Sequence, residues 1–156
     1  MSRSGVLQAG EPVLLIDRKK RRYLIDLEQG GEFHSHSGVL PHDEMIGKPE
    51  GETYRSSRGM VFIAIRPTIT DFVLKMPRGA QVVYPKDIGP ILIHADIFPG
   101  ARVLESGLGS GALSMGMLRA GADIVGYELR QYFEQHARSA VARFLGAEAL
   151  ERYRTQ

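Results

Sequence analysis

The sequence predicts a two-domain α+β chain. A small β barrel or sandwich is expected over 1–67, and the first part of a doubly wound, Rossmann-like α/β domain over 68–156. Three observations lead there. Short apolar runs separated by turn residues crowd the first half. The hydrophobic period changes to helical spacing near Thr68. A strand, a glycine-rich loop, a helix, a second strand and a second helix then follow in that order.

In chain order, "PVLLID" (12–17) and "RYLIDLE" (22–28) flank "RKKR", a charged hairpin connection. "GEFHSH" (31–36) and "GVLPH" (38–42) read as the next strands, and "HDEMIGKPEG" as a turn with a brief helix. "ETYRSS" and "GMVFIAIRP" resume the strand pattern. In 68–76, Ile69, Phe72, Val73 and Met76 recur at helical spacing. A short strand is expected at 81–84, then a helix toward Asp96 with Pro85 in its first turn, where a missing N–H does no harm. "ARVLES" reads as a buried strand, 110–120 as a helix closed by Gly121, and 122–128 as a second strand. The last long segment, "RQYFEQHARSAVARFLG", is an amphipathic helix with Phe133, Ala137, Ala140, Val141 and Phe144 on one side and Gly146 as its C-cap. Only two strand–helix units follow the glycine loop, whereas open sheets of this kind usually hold about five or more strands. The expectation is an incomplete α/β part, either a fragment or one completed by a partner chain, with an exposed sheet edge.

Composition narrows the class. The chain has 156 residues, a net charge of +2 and no cysteine. Mild basicity is compatible with a nucleic-acid partner. Absence of cysteine excludes disulfides and thiolate metal sites and suits the cytoplasm. No apolar run reaches the roughly 20 residues needed to span a bilayer, and "MSRSGVLQAGEP" lacks the apolar core of a signal peptide. The expectation is therefore no membrane association.

The stretch "VLESGLGSGALS" (103–114) carries the candidate site. Gly107 would allow a tight turn, Gly109 the approach of a ligand to backbone, and Gly111 close packing of helix on strand. Exposed N–H groups at a helix start favour polar or anionic ligand groups. Glu128 ends the next strand, about 20 residues on, where a carboxylate accepts both hydroxyls of a ribose. The spacing is G-x-G-x-G rather than the dinucleotide G-x-G-x-x-G, which disfavours a nicotinamide-binding oxidoreductase. No P-loop lysine is present.

This loop, preceded by Glu105, resembles motif I of class I methyltransferases, which bind S-adenosylmethionine. Taken with "YPKD", "HSHSGVLPHDEMIGKPEG" and "YELR", nearly the whole chain resembles the tRNA (adenine-N1)-methyltransferase family, which modifies an adenosine in the T-loop. The resemblance implies a small N-terminal β domain joined to a methyltransferase domain. It also implies S-adenosylmethionine as cofactor, tRNA as substrate and a homotetrameric assembly. It places Gly107, Leu108, Gly109 and Ser110 beside the methionine moiety, Glu128 on the ribose and Phe133 near the adenine, where many relatives have histidine. Tyr84 corresponds to a tyrosine that stacks on the extruded target base. The family's base-contacting aspartate belongs to a fourth strand, which this sequence does not include. The chain alone is therefore expected not to methylate tRNA. A non-catalytic tRNA-binding subunit is the alternative; the intact glycines and Glu128 argue against it.

Other features admit plainer readings. Lys19, Lys20, Arg21 and Arg22 suit RNA phosphates or a solvated hairpin tip equally well. His34, His36 and His42 suggest a metal at first sight, but no acidic or thiol ligand completes a set, so no metal is expected. Asp87 in "PKD" fits a helix start at least as well as a catalytic pair. The methionines of 114–118 read as core.

Overall fold

The computed structural model describes residues 5–77 and 79–156. Residues 1–4, the head of the N-terminal stretch read above, and Arg78 lie outside the described residues. The chain divides into two compact units, Met1–Asp71 and Phe72–Gln156.

The first unit holds β1 (Pro12–Asp17), β2 (Arg22–Asp26), β3 (Glu32–Ser35), β4 (Gly38–Pro41), β5 (Thr53–Arg55) and β6 (Val61–Ile65). Antiparallel pairing orders four of them β2-β1-β6-β5, while β3 and β4 form a separate hairpin. The arrangement is thus two sheets packed together rather than a closed barrel. Phe33 of the hairpin meets Tyr23 at 5.2 Å and Phe62 at 5.6 Å between ring centroids. Tilted and edge-on contacts of this kind suit the aromatic quadrupole. Leu7, Val13, Leu15, Leu27, Leu40, Met45 and Phe62 complete a buried core beneath them. Each such side chain contributes about 1.5–3 kcal/mol on burial.

The β1–β2 connection is built by one carboxylate. Asp17 accepts the N–H groups of Lys19 and Arg21 and the Arg21 guanidinium. Lys20 takes a left-handed conformation at φ 61°. His42 begins a short 3-10 turn, His42–Glu44. Its Nδ1 accepts the Glu28 N–H at 3.0 Å, and His34 pairs with Glu32. Among the described residues no group of three ligating side chains comes together.

α1 (Ile69–Lys75) starts with a reciprocal cap. Thr68 Oγ1 accepts the Asp71 N–H, and the Asp71 carboxylate accepts the Thr68 N–H and hydroxyl. Arg22 adds a salt bridge to Asp71 at 2.6 Å. Burial alone would raise the Asp71 pKa, but the Thr68 hydrogen bonds and the Arg22 charge hold it below its usual value. Thr68→Ala removes the hydroxyl partner and is expected to cost about 1 kcal/mol in urea unfolding.

The second unit continues with α2 (Pro85–His94), β7 (Arg102–Ser106), α3 (Ala112–Arg119), β8 (Asp123–Tyr127), α4 (Gln131–Leu145) and β9 (Tyr153–Thr155). The three strands are parallel in the order β7-β8-β9. On one face, Ile124 and Tyr153 are buried, and α3 supplies Met115 and Leu118 to the core. α4 lays Ala137, Ala140, Val141 and Phe144 inward, and Phe144 meets Phe72 of α1 at 4.8 Å. The methionines Met115 and Met117 are core, as the spacing predicts.

Three expectations need correction. Residues 81–84 form no strand. Val82 is buried, yet Pro85 pushes Tyr84 into extended backbone that pairs with no neighbour. β7 is not a buried strand: Leu104 is 70% exposed, and β7 is the outermost of the three strands in its sheet among the described residues. A third strand, β9, follows the 3-10 segment Ala147–Arg152 and extends the sheet beyond β8. Among the described residues no helix is long and apolar enough to cross a membrane.

Candidate functional site

The turn leaving β7 is shaped by its glycines. Gly107, Gly109 and Gly111 have φ of 82°, 52° and 75°, a region that side-chain-bearing residues enter only at a cost. They differ in surroundings. A Cβ on Gly107 would meet nothing within 4 Å, so its side of the loop is open to a ligand. A Cβ on Gly111 would stand 3.0 Å from the Ala137 Cα and 3.1 Å from its carbonyl oxygen. The close approach at Gly111 is therefore to the backbone of α4, not to a strand as the sequence suggested.

Backbone and side chain both fix the loop. The Gly107 N–H donates to the Tyr127 carbonyl at 2.8 Å, joining the loop to the end of β8. Leu108 is buried, with its Cδ2 only 2.6 Å from where a Cβ of Gly126 would lie. Ser110 is buried as well, just before α3.

Glu128 follows β8 directly. Its Oε1 accepts the Arg130 N–H at 3.1 Å and its Oε2 the Gly109 N–H at 3.2 Å. Those hydrogen bonds, the Arg130 one foremost, hold its pKa below the usual carboxylate value, so it is ionised at neutral pH. A carboxylate accepts about four hydrogen bonds in all, which leaves lone pairs for a diol.

Phe133 sits half-buried on the first turn of α4, with the Arg130 guanidinium 4.1 Å above its ring. Residues 79–81 run between α4 and the loop. A Cβ on Gly79 would lie 3.2 Å from Tyr132 and 3.6 Å from Phe133, and one on Gly109 would lie 3.6 Å from the Ala80 Cβ. Tyr84, three residues past Gln81, caps α2 and is 40% exposed. Gly107, Gly109, Glu128 and Phe133 are thus gathered around the carboxyl ends of β7 and β8, the usual ligand position in an open parallel sheet. Lys86 and Asp87 form an exposed ion pair with each other at 2.8 Å.

Glu105 is the residue whose setting the sequence did not reveal. It is buried, accepts the Ser114 hydroxyl at 2.6 Å, and Ser114 lies 3.0 Å from the Tyr153 hydroxyl. β7, α3 and β9 are joined through this chain. Burial raises the Glu105 pKa to about 7, against the lowering effect of the Ser114 bond, and pushes the Tyr153 phenol up as well.

The four basic residues at 19–22 separate into two kinds. Arg21 is paired with Asp17 and Arg22 with Asp71, both at 2.6 Å. Lys19 and Lys20 are exposed. All four belong to the first unit.

Comparison with known proteins bears on this arrangement. The family profile described as "TrmI-like N-terminal" matches residues 5–53, and that described as "tRNA methyltransferase complex GCD14 subunit" matches residues 59–153. The chain belongs to the GCD14 family of tRNA methyltransferase subunits. Among curated relatives of the family, the tRNA (adenine(58)-N(1))-methyltransferase TrmI of Thermus thermophilus is 38% identical over 136 residues, 85% of this chain and 53% of the relative. The tRNA (adenine(57)-N(1)/adenine(58)-N(1))-methyltransferase TrmI of Methanocaldococcus jannaschii is 33% identical over 133 residues, covering 83% and 46%. The chain thus spans about half the length of the curated relatives it matches. A SAM-dependent O-methyltransferase structure from Thermotoga maritima superposes with a TM-score of 0.89 at 31% identity, covering 97% of this chain and 57% of that one. The tRNA (m1A58) methyltransferase TrmI of Aquifex aeolicus gives 0.75 at 30% identity, covering 90% and 55%. The chain is therefore a β unit, matched by the TrmI-like N-terminal profile, followed by Rossmann-like methyltransferase strands within the GCD14 match.

Proposed function

We propose that the protein takes part in S-adenosylmethionine-dependent methyl transfer to N1 of an adenosine in the tRNA T-loop. The observation that carries this reading is Glu128. It is ionised, fixed by the Gly109 and Arg130 N–H groups, and stands beside a loop whose Gly107 leaves open space. The relatives' shared activity supports the same assignment.

In this reading the domains run over 1–67 and 68–156. Gly107, Leu108, Gly109 and Ser110 line the methionine end of the cofactor, Glu128 holds the ribose, and Phe133 borders the adenine. S-adenosylmethionine supplies a sulfonium-activated methyl group; the protein supplies placement. In-line displacement depends on orientation more than on acid–base chemistry, so a loop with few freely rotating parts is what the reaction asks of this chain. Tyr84, exposed at the start of α2, offers a ring to an adenine drawn out of its stack. A homotetramer and a cytoplasmic location follow from the family resemblance and complete the proposal.

Titration calorimetry tests the cofactor site. S-adenosylhomocysteine is expected to bind and NAD not to. Glu128→Ala is expected to weaken S-adenosylhomocysteine binding at least about tenfold, near 1.4 kcal/mol, and to lower thermal stability modestly at neutral pH, because the hydrogen bonds from the Gly109 and Arg130 N–H groups to the ionised carboxylate are lost. NAD binding with no S-adenosylhomocysteine binding would reverse the assignment.

A further inference from the structure

Three polar side chains meet inside the apolar core of the second unit. Glu105 is buried on β7, Ser114 is fully buried in the first turn of α3, and Tyr153 is 1% exposed at the start of β9. Ser114 has one hydroxyl hydrogen and gives it to Glu105 Oε2, so across the 3.0 Å contact the Tyr153 hydroxyl donates to Ser114 Oγ. Met115, Leu118 and Ile124 are buried on the same side of the sheet. Buried polar groups are costly unless they are bonded, and apolar residues would fill the space without that demand. The place of the chain in the fold gives it a role beyond packing. The glycine loop runs from Gly107 to Gly111, Glu105 stands just before it, and Ser114 just after it. Tyr153 holds the pair from a third element, and that element is itself fixed. β9 pairs with β8, the Arg138 guanidinium of α4 donates to the Tyr153 carbonyl at 3.0 Å and to Thr155 Oγ1 at 3.3 Å, and the Thr155 hydroxyl donates to Glu134. Between the two held ends lie Gly107, Gly109 and Gly111, residues with little conformational preference of their own.

We propose that Tyr153 is a positioning residue for the methyl-donor site. Through Ser114 and Glu105 it clamps both ends of the glycine loop and keeps the loop in its ligand-receiving shape. The proposal rests on the S-adenosylmethionine reading above and adds to it a residue remote in sequence from the loop. A protein that visits other loop shapes binds more weakly in proportion to the receptive fraction it loses. Tyr153, closed off from solvent, acts on affinity through that fraction and not by contact with the ligand.

Tyr153→Phe removes one hydroxyl and keeps the ring. Calorimetric titration with S-adenosylhomocysteine at several temperatures gives affinity and heat-capacity change together. Tyr153→Phe and Ser114→Ala are each expected to weaken binding about three- to tenfold, the net contribution of one hydrogen bond. Both are expected to make the heat-capacity change more negative than the parent's, because ordering of the loop then accompanies binding. Glu105→Ala is expected to bind as weakly as they do. Glu105→Gln still accepts the Ser114 hydroxyl and is expected to return to within about twofold of the parent. Thr68→Ala, which weakens the cap of α1, is expected to match the parent in both quantities. A residue that served folding alone would lower the melting temperature and leave affinity and heat-capacity change where they were. Parental values in Tyr153→Phe and Ser114→Ala would overturn the proposal. So would Glu105→Gln binding no better than Glu105→Ala, which would assign the effect to the carboxylate charge. Either result leaves the cofactor reading standing, whereas a parent that binds no S-adenosylhomocysteine overturns that reading and the clamp with it.

Discussion

Gly111→Ala is expected to destabilise the second unit by about 3 kcal/mol and to abolish cofactor binding with it. Two costs add. The left-handed backbone at φ 75° penalises any Cβ by about 1–2 kcal/mol. The new methyl would also press on the Ala137 Cα, Cβ and carbonyl oxygen at 3.0–3.1 Å. Those atoms belong mainly to helix backbone, which yields less readily than a side-chain tip, and overpacking of this sort costs about 1–3 kcal/mol. Gly107→Ala is the control, because it has the same backbone sign and open space around it; only the first cost applies, about 1 kcal/mol. Urea unfolding followed by circular dichroism measures both. Equal losses in the two variants would show that α4 moves aside freely and that its contact with the loop carries no strain.

Stability is also expected to fall as pH rises from about 4.5 to 7, because of Glu105. Its carboxyl titrates near 4.5 when exposed and at about 7 when folded. Between those values the native state binds a proton that the unfolded chain has released. The stabilising contribution is therefore complete below the unfolded value and lost as pH climbs through the folded one. Two and a half units correspond to about 3 kcal/mol. Glu105→Gln keeps an acceptor for the Ser114 hydroxyl and carries no charge, so its melting temperature is expected to be much flatter across this range and above the parent's at pH 8. Parallel pH profiles for the two proteins would assign the titration elsewhere.

The difference between what was readable in advance and what was not follows from range. Gly107, Gly109, Gly111 and Glu128 announce themselves within 22 consecutive residues, since a strand, a tight turn and a helix start each constrain their own residue types. α4 was legible because its apolar face repeats over four turns, and the β1–β2 hairpin because Asp17 and the charged run mark a turn. Failures came where partners decide. Residues 81–84 have strand-like side chains, but no neighbour offers a ladder. β9 has three residues, too few to show alternation. Leu104 looks like core, and only its place on the outermost described strand of the sheet marks it as surface. Glu105, Ser114 and Tyr153 are separated by 9 and 39 residues, so their hydrogen-bonded chain has no local signature.

Leu108 resting on Gly126 has a consequence for how a ligand is received. A loop with three left-handed glycines ought to sample many shapes, and fixing one of them on contact would slow capture and consume binding free energy. The leucine side chain, seated where β8 lacks a side chain of its own, acts as an anchor that folding sets in place beforehand. The cradle is then expected to hold its shape before anything arrives. Its glycines serve as clearance rather than as hinges, and the heat-capacity change on binding a small molecule there should reflect the buried ligand surface alone, with no contribution from ordering the chain.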